Sequence, residues 1–305
     1  MGYNSYTTTD LVNNVKLVSH FPVGDSTFTT ANVITLADRE LQTPIMAQIL
    51  STRGGYYSTY ADYSVASDGL YLIPPDCVAG ALENVEMVQA PTIIPVNLIE
   101  ESEQFSTESP TSTSYGYFMR GNYVQILPIP NLGTIRLWYS KRPSKLVPVS
   151  SCAQITAVNS TVISVSSVPS TLSVGKSIDA VGDQPPFNIL GTRTISLVSG
   201  TDITLSSAVT DLAIGDWLCL EKQTCVPAVP VEFRPLLEQR IACQMYESQG
   251  YLEKLTKAEK KLKELEEATF KLITPRVKSQ TKVIMPVNGG FLSGSTRRFT
   301  NFPTR

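Results

Sequence analysis

Gly175-Lys176-Ser177 reads like the end of a phosphate-cradling loop, in which backbone N–H groups and a lysine hold the phosphates of a nucleotide. The opening glycine of that pattern belongs at position 170, where the chain has Ser170. A copy of the same stretch forty residues later carries Asp216-Trp217 in place of Lys176-Ser177, so this glycine marks a repeated turn instead. His20 is the single histidine. Metal clusters built on histidines are therefore excluded, and its neighbours Phe21-Pro22 suit a residue that caps or packs at a helix end. The five cysteines Cys77, Cys152, Cys219, Cys225 and Cys243 are odd in number, irregularly spaced and free of CxxC, which argues against a disulfide framework or a zinc site. Cys219 and Cys225 read as small buried hydrophobes. Asp62, Asp68 and Asp76 fit turns and strand ends better than a pair of catalytic carboxylates. Tyr56, Tyr57, Tyr60, Tyr63 and Tyr71 could stack on a sugar or base, but strand propensity and cross-strand aromatic pairing account for them more simply. No GxSxG, HExxH or calcium-loop pattern occurs. The expectation is a protein without enzymatic activity, metal or cofactor.

The elements that position these residues divide into helical ends and a strand-rich middle. Thr8, Thr9 and Asp10 can cap a short helix carrying Leu11, Val15 and Val18 that ends before Pro22. Thr29 or Thr30 caps a second, whose Val33, Ala37, Leu41, Ile45 and Ile49 share one face and whose Pro44 predicts a kink. Strands are expected from Tyr56 to an Asp68-Gly69 turn, with Leu70–Ile73 returning as hairpin partner, then over 80–89 and 92–100. An acidic Ser/Thr-rich excursion fills 100–114. A Gly121-Asn122 hairpin joins 117–120 to 123–127, and Thr134–Ser140 alternates with a period of two.

Residues 155–179 align without gaps on 195–219, with Ile155/Ile195, Ile163/Ile203, Leu172/Leu212 and Gly175/Gly215 among the identities. Two copies are too few for a solenoid but suit two hairpin units closing into a small barrel or sandwich. The fold class is therefore α+β: N-terminal helices and a C-terminal helix pair packed with a β-rich body, plus an inserted β-module at 150–225. The core is assigned to 1–149 and 226–278, and an extended basic tail to 279–305.

Charge divides the same way. Residues 1–226 hold 11 basic and 19 acidic side chains, residues 227–305 hold 14 and 8, and no acid follows Glu267. Such polarity suggests an acidic partner or self-association. Phe233, Leu237, Ile241 and Met245 recur every four residues in the first C-terminal helix, with Pro235 in its first turn and Gly250 as its stop. The second carries Leu252, Leu255, Ala258, Leu262, Leu265 and Leu272 as one narrow stripe among charges, including the i,i+4 pairs Glu253–Lys257, Glu259–Lys263 and Lys260–Glu264. The uncharged run 146–175 is too polar for a membrane span. No cationic, apolar N-terminus resembling a signal peptide is seen, and synthesis in a reducing cytosol is expected, which leaves the Asn159-Ser160-Thr161 sequon idle.

FTTANVITLADRELQTPIMAQI (28–49), YLIPPDCVAGALENVEMV (71–88), LWYSKRPSKLV (137–147), VPVEFRPLLEQRIA (229–242) and LITPRV (272–277) occur in this order. Together they resemble the head-to-tail adaptor proteins of tailed bacteriophages; the module at 150–225 and the tail at 279–305 depart from simpler relatives. The resemblance implies a virion structural protein at the neck, made in the host cytoplasm. It would form a homo-oligomeric ring of twelve subunits that docks on the portal protein and meets tail or nozzle proteins. Double-stranded DNA would pass through the lumen without specific binding, and no membrane is involved. It also implies that Phe233, Leu237, Ile241, Met245, Leu255, Leu262 and Leu265 pack between helices and neighbouring subunits. Arg276, Lys278, Lys282, Arg297 and Arg298 would then reach toward the portal. Alternatives are another neck or tail-tube ring component or, in a different class, a carbohydrate-binding adhesin module.

Overall fold

The computed structural model describes residues 6–22, 26–52, 54–100, 115–182 and 189–273. The acidic excursion beyond Glu100 and the basic tail lie outside the described residues. The described chain is α+β, with a helical layer, a seven-stranded sheet and a closed barrel.

Helix α1 spans Thr8–Ser19, and its cap is Thr7, just ahead of the residues expected to cap it. Thr7 and Asp10 bond reciprocally to each other's backbone N–H, satisfying two donors that the first turn leaves open. Leu11, Val12 and Val15 face inward, Val18 is half-buried, and His20 closes the helix in the left-handed region at φ 52°. Helix α2, Thr30–Glu40, is capped by Thr29 and runs through a single π-helical turn, Leu41–Ile45, into α3, Met46–Thr52. Pro44 sits in that wide turn, which accommodates a residue lacking an N–H and whose ring crowds the preceding turn. The wide turn has a second effect. Strict four-residue spacing drifts about 40° per step around a 3.6-residue helix, and a wider turn rotates less per residue. Val33, Ala37, Leu41, Ile45 and Ile49 consequently all remain 0% exposed.

Strand β1 is Ser58–Ser64, β2 Leu70–Leu72, β3 Cys77–Gln89, β4 Thr92–Leu98, β5 Gly116–Arg120, β6 Tyr123–Leu127 and β7 Thr134–Lys141. Their spatial order is β1-β7-β3-β4-β5-β6-β2, with β4 and β5 parallel and the other neighbours antiparallel. The expected hairpin between β1 and β2 does not form, because Asp68-Gly69 carries the chain from one sheet edge to the other. Gly69 instead accepts the Ile126 N–H at 3.0 Å and takes φ +66°, where an added Cβ would lie 2.9 Å from the Ile126 carbonyl oxygen. The Gly121-Asn122 hairpin forms as expected, pairing Arg120 with Tyr123. The alternation in β7 is equally direct, with Ile135, Leu137 and Tyr139 buried. The tyrosines serve packing: Tyr57 is buried in the helical core, Tyr71 is buried under the sheet, and Tyr60 lies opposite Trp138 with ring centroids 5.0 Å apart.

Beyond β8, Lys145–Leu146, lie β9 (Ala153–Asn159), β10 (Val162–Val165), β11 (Ser177–Val181), β12 (Ile189–Ser199), β13 (Asp202–Leu205) and β14 (Trp217–Leu220). They close into a barrel in the order β10-β13-β12-β11-β14-β9. The repeat appears as an internal two-fold: Ile163 pairs with Ile203 and Asp179 with Cys219, each the other's counterpart at an offset of forty. Equivalent side chains fill the interior, Ile155 with Ile195, Ile163 with Ile203 and Ile178 with Leu218, none more than 1% exposed. Gly175, at φ +84°, leads into strand β11 and not into a helix, so no phosphate-binding helix terminus follows it.

The barrel is joined to the rest through a parallel pair between β8 and β15, Gln223–Thr224. Its entering and leaving strands are tied to the helices. Asp38 accepts the Leu146 N–H at 2.9 Å, the Thr8 hydroxyl donates to the Val147 carbonyl at 2.9 Å, and the Thr8 N–H donates to the Cys225 carbonyl at 2.8 Å.

Candidate docking surface

The C-terminal helices form a hairpin. Helix α4, Arg234–Gln249, starts with Pro235 in its first turn, where a missing N–H costs little. It ends at Gly250, whose φ of 70° allows the left-handed cap. Helix α5 runs over Leu252–Ile273. The stripe read from α4 is buried within the subunit: Phe233, Leu237, Ile241 and Met245 are each 0% exposed, in one core with the α2–α3 ladder, Leu146 and Val229. These four present nothing to a neighbouring subunit or a portal, which corrects the role the resemblance gave them. Leu262 and Leu265 are half-buried against that same core, and Leu255 packs beside Cys243, Tyr246 and Ala258. Leu252 and Leu272, at 73% and 72% exposure, fall outside the seam, while Thr269 is buried in line with it. Helix α5 has 22 residues against 16 in α4, and it reaches back past the start of α4 to pack on the turn Val231–Phe233. Arg276, Lys278, Lys282, Arg297 and Arg298 lie outside the described residues.

A polar network fixes the hairpin on the layer beneath. Arg240 donates from Nε to Glu40 at 2.7 Å and from Nη1 to Glu266 at 2.9 Å. Gln244 adds a second donor to Glu40, and Gln48 donates to Glu266 at 3.0 Å, so α2, α3, α4 and α5 share one cluster. On the opposite flank, Tyr6 donates to Glu238 at 2.6 Å and Asn14 to the same oxygen at 2.8 Å, while the Arg234 guanidinium lies 4.5 Å from the Tyr6 ring centre. Burial, then the adjacent Glu238 carboxylate, raise the Tyr6 pKa and hold its hydroxyl protonated as a donor.

The surface left over has a definite chemistry. The outer face of α5 exposes Lys254, Lys257, Lys260, Lys261 and Lys263 among Glu253, Glu259, Glu264 and Glu267. None of the three expected i,i+4 pairs closes to ion-pair distance among the described residues; the α5 carboxylate that does pair is Glu266. The charges are therefore available to a partner and cost little to redirect. At the hairpin bend, Leu252 is exposed and Tyr251 stacks on Phe21 with centroids 6.3 Å apart. Leu17 of α1 is 73% exposed. Apolar side chains rimmed by charge suit macromolecular contact.

The residues considered for chemistry do not converge on a catalytic arrangement. His20 is exposed and structural. A cleft of about 620 Å³ at the barrel's base is lined by Asp38, Asp76, Lys141, Lys145, Asp179 and Lys222 among others, with both signs interspersed. Asp179 is buried there, and desolvation raises its pKa against the opposing pull of bonds from Thr192 at 2.6 Å and the Lys222 N–H at 2.7 Å. What sequence reasoning missed is a cluster of thiols. Cys152, Cys219 and Cys225 are buried, and their sulfurs lie within 4.8 Å of one another. The three thiols act on one another: hydrogen bonds from Cys219 and Cys225 pull the Cys152 thiol down, and the other two are pushed up in turn. The sequence carries no thiol pattern of its own: Cys219 stands where the other repeat copy has Asp179, Cys152 precedes the repeat by three residues, and only barrel closure brings them together. Comparison with protein-family models and with curated proteins finds no match for this chain.

Proposed function

We propose that the chain is a structural subunit of a phage neck, a head-to-tail adaptor that assembles into a ring, docks on a portal and connects it to the tail. One observation carries this reading. The stretches at 28–49, 137–147 and 229–242, which carry the resemblance, contribute to one core in which Phe28, the α2–α3 ladder, Leu146, Val229 and the α4 stripe meet. Residues 71–88 and 137–141 join the sheet beside it. The segment that departs from the resemblance is the barrel, attached through the β8–β15 pair. The stretches that look like an adaptor thus meet in shared packing, with the barrel inserted between 137–147 and 229–242.

On this reading, rings close through head-to-tail contacts between identical subunits. The outer face of α5 and the exposed Leu17, Leu252 and Leu272 supply contact surface, replacing the buried α4 stripe in that role. The basic tail beyond Glu267 reaches an acidic portal surface by charge complementarity. The net-acidic body repels duplex DNA and keeps it moving through the lumen. The test is to truncate the chain after Val277 and measure co-sedimentation with portal rings. Weakened binding whose residue no longer depends on salt supports the reading, and undiminished, salt-dependent binding contradicts the role of the tail.

A further inference from the structure

We propose that Cys152, Cys219 and Cys225 bind one thiophilic metal ion in a three-sulfur site at the neck of the barrel. The placement follows from the fold. Register along β9 and β14 pairs Trp217 with Gln154 and Leu218 with Ala153, which brings Cys219 opposite Cys152 at the start of β9. Cys225 comes from the other side, one residue past β15, where its carbonyl also receives the Thr8 N–H at 2.8 Å. The three sulfurs thus come from the residue that leads into the barrel's first strand, from its last strand, and from the strap leading back to the helices. A metal there would clasp the module to the body.

The chemistry fits a soft cation. Thiolates select Cu(I) and zinc over harder ions. Zinc in structural sites takes four ligands, whereas this cluster offers three thiols and is otherwise walled by Val147, Val181, Trp217 and Val226. Monovalent copper is the ion this donor set fits best. With metal–sulfur bonds of about 2.3 Å, three sulfurs around one ion stand about 4 Å apart. All three lie within 4.8 Å of one another. Cys152 and Cys219, 2.7 Å apart, must part by about 1 Å to reach that spacing. Without a cation, a second and third thiolate in this buried place would repel the first, so metal binding and proton release are coupled.

The test uses the full, reduced chain under anaerobic conditions, titrated with Cu(I), Zn(II) or Cd(II) against a competing chelator. One equivalent per chain is expected, with thiolate-to-metal charge-transfer absorption, a raised Tm and three sulfur scatterers by X-ray absorption on the wild-type protein. Cu(I) is expected to outcompete zinc. Cys225→Ser is expected to weaken binding by more than the roughly 10–100-fold typical of outer-shell changes, and Cys77→Ser to leave it unchanged. The wild-type spectrum does not depend on any variant folding. Fewer than three sulfurs at the metal, or binding that needs Cys77 or Cys243, would overturn the proposal.

Discussion

Replacing Arg240 by methionine isolates what the buried ion pair contributes, because methionine keeps an apolar stem and deletes the charge. The Glu40 side chain is 8% exposed and that of Arg240 22%. Glu40 takes its charged donor from Arg240 and a neutral one from Gln244. Removing the guanidinium strands a buried carboxylate, which costs about 3–5 kcal/mol when a buried pair is broken from one side. Water reaches the Arg240 position, so the low end, about 3 kcal/mol, is the expectation. The bond to Glu266, a side chain 28% exposed, adds little. At roughly 2–4 °C per kcal/mol for a large domain, Tm should fall by about 6–12 °C. Adding Glu40→Gln removes the stranded charge, and the double variant should recover to within about 1 kcal/mol of the parent. Urea unfolding followed by helical circular dichroism measures both. A single variant within about 0.5 kcal/mol of the parent, or a double variant worse than the single, would refute the reasoning.

Other expectations follow from individual contacts. Gly69→Ala should destabilise more than Gly121→Ala; both glycines have positive φ, but only the first would meet a backbone oxygen, at 2.9 Å. Denaturation midpoints decide it, and equal costs would contradict the close approach. Asp179 has a raised pKa, so the folded chain binds more protons there than the unfolded one and stability falls as pH rises from the ordinary carboxylate range through the raised value. Asp179→Asn should flatten that slope. Asp62 behaves oppositely, because its bond to Arg136 lowers its pKa. Its stabilisation is present above the ordinary value and lost as pH falls through the lowered one, and Asp62→Asn should remove that acid-side loss. Leu262→Ala should cost about 1–2 kcal/mol of subunit stability as a half-buried side chain, while Leu272→Ala should leave urea unfolding of the subunit unchanged and weaken assembly.

What could be read from residues alone depended on how local the cause was. The ladder from Val33 to Ile49 was legible because every step repeats, and Pro44 marked where the helix departs from regular geometry. The barrel was legible because its symmetry is written in the sequence, where Ile163 and Ile203 occupy equivalent places that turn out to face each other. The β1–β2 hairpin was misread because Asp68-Gly69 specifies a turn without specifying which strands it joins. Sheet order depends on distant partners such as Tyr60 with Trp138. The α4 stripe shows that a face is covered but not by what, and here the cover is the subunit's own α1 and α2. The thiols were hidden for a related reason: barrel closure brings Cys152 to Cys219, and spacing along the chain records nothing of it.

The adaptor reading stands on assembly, and assembly can be weighed. Portal rings mixed with the full-length chain and analysed by native mass measurement should give one discrete species, a portal ring carrying a whole ring of this subunit, twelve copies by the resemblance. Free subunits beside unchanged portal rings, across concentrations that saturate a stable interface, would contradict the account.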